Sequence, residues 1–163
     1  MNTLSTVEFK RPIWQTAVMF ALGFWLSASV VLDWVIMPSL YLSGMMSQAG
    51  FSTAGYVIFW NFNRIELLSA AVVLTGVLAL RKTQSRWHIS GIVLSVMLLA
   101  IALLDTYFLT PHMSAVGTHL NLFEAASAIP AQMNLLHGSY FVLEVVKLIA
   151  GGALLNWCWR QQV

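Results

Sequence analysis

Four carboxylic acids interrupt stretches of this sequence that otherwise read as hydrocarbon. Asp33, Glu66, Asp105 and Glu144 fall one to each of four long apolar runs. An ionisable side chain surrounded by lipid is costly unless it is paired, so each acid marks a candidate site and should face an interior. Other bonding groups accompany them: Asn61, Asn63 and Arg64 beside Glu66, and His137 and Tyr140 ahead of Glu144. Asn63 and Glu66 are three apart, and His137, Tyr140 and Glu144 are spaced by three and four. A helix therefore puts each set on one face. Asp105 and His112 are seven apart and share a face as well, if a helix continues past Pro111.

Three kinds of chemistry fit this set. Carboxylates and imidazoles suit first-row metal ions, and His137 with Glu144, joined by His112 or His119, would supply ligands. The Glu-x-x-His pairs of di-iron bundles do not occur, however. In a second reading a small organic or quinone-like molecule occupies the site. Asn61, Asn63, Arg64, Tyr107 and Tyr140 then bond it, and His137 serves as acid or base. In a third, the charges neutralise one another and fix helix register: Glu66 or Glu144 with Lys147, and Asp33 or Asp105 with Arg64. Four acids against two intramembrane bases leave acid in surplus. Some carboxyls must then be protonated, hydrated or bound to a cation. Met37, Met45, Met46 and Met113 suggest a soft copper-binding surface, although packing is the plainer reading of neighbouring methionines.

The elements that position these groups follow from composition. Hydrophobic residues make up 59% of the 163 residues and charged ones only 9%, against about 25% charged in soluble domains. The apolar runs, about 13–40, 55–80, 87–110 and 131–157, are each long enough to cross a hydrocarbon core, which takes about 20 residues in a helix. The sequence thus predicts an all-α fold: one integral-membrane four-helix bundle spanning 1–163, with no repeat and no second domain. The first run continues past the small residues Ser27, Ala28 and Ser29, so a retained helix is expected rather than a cleaved signal peptide. Net charge is +2 and scattered, which excludes nucleic acid as a partner. The lone Cys158 excludes an intrachain disulfide.

Basic residues orient the chain. Lys10 and Arg11 precede the first run, Arg81, Lys82 and Arg86 fill the turn after the second, and Arg160 follows the fourth. The positive-inside bias places these three regions, and with them both termini, in the cytoplasm. The segments 43–52 and 111–130 then lie outside. The turn between the second and third runs is short, making those helices antiparallel neighbours. Residues 119–126 could form a short interfacial helix, and Pro130 suits the first turn of the last helix. Trp14, Trp34, Trp60, Trp87, Trp157 and Trp159 fall near span ends, as aromatic belts do. Gly44, Gly55, Gly151 and Gly152 suit turns or close helix approach. His88 is expected at the interface and His119 in a solvated loop.

The order of these marks carries a likeness. Asp33 to Pro38 near the end of the first run, Asn61-Phe62-Asn63-Arg64-Ile65-Glu66 in the second, Thr110-Pro111-His112 after the third and His137-Gly138-Ser139 with Glu144 in the fourth come in that sequence. This resembles the four-helix membrane proteins of the transmembrane-protein-205-like type and, more distantly, anthrone-oxygenase-like membrane proteins. The resemblance implies the four-span plan and assigns no substrate. The run 61–66 is more polar than expected in either group, which points to a specialised role.

The expectation is a multi-pass membrane protein that binds a small ligand or metal cation in an outer-half polar pocket and is open to redox chemistry. Asp33, Asn61, Asn63, Arg64, Glu66, Asp105 and Tyr140 are the ligand-binding candidates, and His137, Glu144 and His112 the candidate metal ligands. The competing class is a non-catalytic subunit or assembly factor. Beyond the bilayer, its partners would be other membrane proteins or further copies of this chain. No residue is assigned a catalytic role.

Overall fold

Backbone N–H and C=O groups find no partners in lipid, so an apolar run of this length satisfies them within a helix. The structure, a computed structural model, describes residues 13–45, 48, 50–83, 89–123 and 131–160, and within these the chain is helical apart from the turn that includes Ser43 and Gly44 and the residues just before Phe51. Lys10, Arg11, Arg86, Trp87, His88, Glu124 and Pro130 lie outside the described residues, as does the side chain of His119. The elements are α1 (Ile13–Ser29), α2 (Met37–Leu42), α3 (Phe51–Thr83), α4 (Ile89–Leu104), α5 (Thr110–Phe123) and α6 (Ala131–Arg160). Two π-helical segments join them, Val30–Ile36 between α1 and α2 and Asp105–Leu109 between α4 and α5. The four continuous rods Ile13–Leu42, Phe51–Lys82, Ile89–Gly117 and Met133–Arg160 are each long and apolar enough to cross a membrane.

The four-helix, all-α expectation is met, and the four spans are longer than the sequence reading drew them. The third is the clearest case. The helix does not stop near Thr110; it continues past Pro111 to Phe123, so at least the first five residues of the expected interfacial helix, from 119, extend this rod instead. Proline lacks an N–H and crowds the carbonyl four residues earlier. Here the helix widens rather than ends. Thr110 N–H bonds Asp105 O, and ahead of Pro38 the N–H of Met37 bonds Leu32 O, both with the i to i−5 spacing of a π turn.

The spans run antiparallel in sequence and pack around a square, each against its two neighbours. Gln15 Nε2 donates to Cys158 O at 2.8 Å, tying the start of the first span to the end of the fourth. That end also carries the exposed Arg81, Lys82 and Arg160 and is the basic end of the bundle. Next to it lies the apolar core: Val18, Leu22, Val73, Val77, Leu80, Leu98 and Leu154 are fully buried, with Cys158 among them. Close approach is set by two glycines. A methyl group at Gly76 would collide with the Val18 side chain, and one at Gly151 would sit 2.7 Å from Leu26 Cδ2. Gly152 and Gly55 have no such close neighbour. Gly44, at φ 71°, ends α2 in the left-handed conformation that glycine adopts without strain. Phe20, Phe24, Leu68, Ile89, Val142 and Ile149 point outward, as a lipid-facing surface requires.

Candidate functional site

Above the apolar core, midway along all four spans, the four acids come together in the interior. Asp33 and Glu66 are 1% exposed, and Asp105 and Glu144 are 0% exposed. Lys147, one turn from Glu144 on α6, is also fully buried and is the hub. Its Nζ bonds Glu66 Oε1 and lies 2.5 Å from Glu144 Oε2. Glu66 is further held from the first span: Trp25 Nε1 donates to its Oε1 at 2.8 Å and Ser29 Oγ at 3.2 Å. Trp25 and Ser29 are four apart on α1, hence stacked on one face. Tyr140 OH donates to Asp33 Oδ1 at 2.7 Å, and the Tyr140 ring packs edge-on against Phe59 and Phe141.

The donors are shared out unevenly. Glu66 receives three, whereas among the described residues neither oxygen of Asp105 has a hydrogen-bond partner, nor do Asp33 Oδ2 and Glu144 Oε1. Among the described residues every buried side-chain atom without a hydrogen-bond partner is an oxygen. The centre has acceptors in excess and lacks donors.

Both π segments begin at or contain an aspartate of this centre. A π turn takes up one extra residue, which rotates the remainder of the rod by about 100° relative to a straight α-helix. Asp105 therefore points inward while His112 is exposed, although a regular helix would align them. His112 Nδ1 instead meets Phe108 O at 2.6 Å. His137 is likewise exposed and turned onto Met133 O at 2.9 Å, leaving Tyr140 and Glu144 to face inward without it. The structure thus does not assemble His112, His137 and Glu144. Among the described residues no group of three or more His, Cys, Asp or Glu side chains is placed to hold a metal ion.

The groups around Glu66 also separate. Asn61 is exposed and donates to Val57 O at 2.8 Å on its own helix. Asn63 is buried, and its Nδ2 donates to Thr110 Oγ1 at 2.7 Å while its Oδ1 has no partner. Arg64 pairs with neither Asp33 nor Asp105; it is exposed, with its guanidinium 3.0 Å from the centre of the Trp60 ring. Asn63, Arg64 and Trp60, but not Asn61, border a cleft of about 210 Å³ between α3 and the third span, with Thr106, Tyr107 and Thr110 on the facing wall.

Sequence reasoning named the acids, Lys147, Asn63 and Tyr140 but missed Trp25, Ser29 and Thr110. One signal was there. Six of the seven tryptophans fall near span ends, and Trp25 alone lies deep within a run, where an indole N–H needs an acceptor. A second signal is local: Leu32-Asp33 precedes Pro38 as Leu104-Asp105 precedes Pro111. Comparison with family models, curated proteins and solved structures finds no match.

Proposed function

We propose that this multi-pass membrane protein binds small hydrogen-bond-donating species at its mid-bundle carboxyl–lysine centre, protons foremost, and exchanges them with the side opposite the basic end. The positive-inside bias assigns the basic end to the cytoplasm, so the exchange is with the outer side. The observation that carries the reading is the excess of buried acceptors. Lys147 and Glu66 neutralise one another, and Glu66 also takes the Trp25 and Ser29 donors, which leaves the Tyr140 hydroxyl to Asp33. Asp33, Asp105 and Glu144 remain. Three further carboxylates in an apolar interior are prohibitively costly, whereas three carboxylic acids are not.

The Lys147 ammonium occupies the position where a metal ion would otherwise lie between Glu66 and Glu144, which favours protons over a divalent cation. Access is asymmetric. Toward the basic end the centre is closed by the apolar side chains from Leu22 to Leu154, whereas on the other side Asn63 and Thr110 form its boundary with the cleft.

Infrared difference spectra of the protein in proteoliposomes, recorded on a pH jump, test this. Buried protonated carboxyls give a C=O stretch separate from that of carboxylate. The expected result is a band that Asp105→Asn and Glu144→Gln each reduce. A spectrum with no such band, or one that neither substitution alters, rules the proposal out.

A further inference from the structure

The cleft between α3 and the third span contains a cation that the carboxyl centre does not use. Arg64 lies thirteen residues from Phe51, where α3 begins, which is about 20 Å along the axis. Its helix neighbours Trp60, Ile65 and Leu68 are exposed apolar side chains, so the surface around it is one that meets hydrocarbon. At that depth a guanidinium is costly without an anion. Four carboxyls lie within the same bundle, yet Arg64 forms no ion pair among the described residues. It rests on the Trp60 ring, a cation–π contact that holds the guanidinium plane while leaving its edge N–H groups free to bond.

Two further features define what the cleft would take. Asn63, 1% exposed and bordering it, has its Oδ1 without a hydrogen-bond partner because its amide donates to Thr110. Tyr107 on the facing wall is 71% exposed and Tyr56 on α3 is 37% exposed, so aromatic rings line the mouth of the cleft. A guanidinium edge pairs with an acid group through two parallel hydrogen bonds. The unpartnered amide oxygen calls for a hydroxyl or other donor. The aromatic mouth, beside the exposed Ile65 and Leu68, calls for a hydrophobic body.

We infer that this cleft is a binding site for an anionic amphiphile that enters from the bilayer. Its carboxylate or phosphate pairs with Arg64, a hydroxyl next to that group donates to Asn63 Oδ1, and its apolar part lies along Trp60 and Tyr107. This site is separate from the proton-exchange centre, since Arg64 touches none of the four acids.

The test uses the full chain in mild detergent and in nanodiscs, with native mass spectrometry counting retained molecules and titration giving affinity. The probes are phosphatidylglycerol, which offers a phosphate and hydroxyls, a hydroxylated fatty acid and its non-hydroxylated counterpart, which offer a free carboxylate, and phosphatidylcholine as the zwitterionic control. Expected are one retained anionic molecule per chain and at least a tenfold loss of affinity in Arg64→Gln. Arg64→Lys should recover only part of it, because the paired hydrogen bonds are gone. Asn63→Ala should weaken hydroxylated probes and leave the non-hydroxylated fatty acid unaffected. Asp105→Asn should leave binding unchanged, which separates this site from the carboxyl centre. Retention of phosphatidylglycerol alone identifies a membrane lipid, and retention of the fatty acid alone identifies a free acid. Equal binding of phosphatidylcholine, or wild-type affinity in Arg64→Gln, overturns the inference.

Discussion

The layer from Val18 to Leu154 near the basic end and the layer from Trp25 to Asp105 just above it are buried to the same degree, yet they are held together by different forces. In the first, small and branched apolar side chains meet across Gly76 and Gly151. Lipid tails are as apolar as leucine, so this layer gains from close dispersion contact rather than from escape from water. In the second, charges and hydrogen bonds link the spans, and the donors do not match the acceptors. Packing density alone therefore does not distinguish a structural layer from a reactive one; the distinction lies in unpaired polar atoms.

Substitutions can break this contrast. Lys147→Met removes the one cation that, among the described residues, pairs with Glu66 and Glu144, and losing one partner of a buried ion pair costs about 3–5 kcal/mol. Thermal unfolding in detergent should show this as the largest loss of the series, and Glu66→Gln on the same background should restore much of it. In the apolar layer, Leu154→Ala leaves a cavity worth about 2–4 kcal/mol, with no effect on the infrared carboxyl band. Tyr140→Phe deletes one buried hydrogen bond to Asp33, a loss of about 1 kcal/mol, and should shift the carboxyl band without abolishing it. Asp105→Asn should have the smallest effect on stability, within about 0.5 kcal/mol of wild type or stabilising. It supplies donors where acceptors are in excess, while still reducing the proton signal. A stability loss for Asp105→Asn as large as that for Lys147→Met would make the two layers alike and remove the contrast.

Much of the centre was legible before any coordinates. Four acids in four apolar runs had to turn inward, because lipid permits little else, and Lys147 as partner to Glu66 or Glu144 followed from the scarcity of bases. The pairing of Arg64 with Asp33 or Asp105, one of the readings weighed, does not form for a definable reason: spacing along one helix gives a face but not what opposes it, and the cleft beside Trp60 exists only once α3 meets the third span. His112 and His137 stand apart from the acids for other reasons. Their seven-residue spacings to Asp105 and Glu144 assume uninterrupted helical phase with a packed neighbour. The π turn before Pro111 breaks that phase for His112. His137 lies in a stretch of α6 where Leu135 and Gly138 to either side are also exposed.

By itself the sequence determined the solvent, the number of spans and the inward direction of the acids, since hydropathy and the cost of charge in hydrocarbon act on each segment independently. Which acid receives the donors was decided only by tertiary structure. Glu66 takes Trp25, Ser29 and Lys147 while Asp105 takes nothing, and that division depends on distances between helices of a few ångströms, which no local pattern encodes.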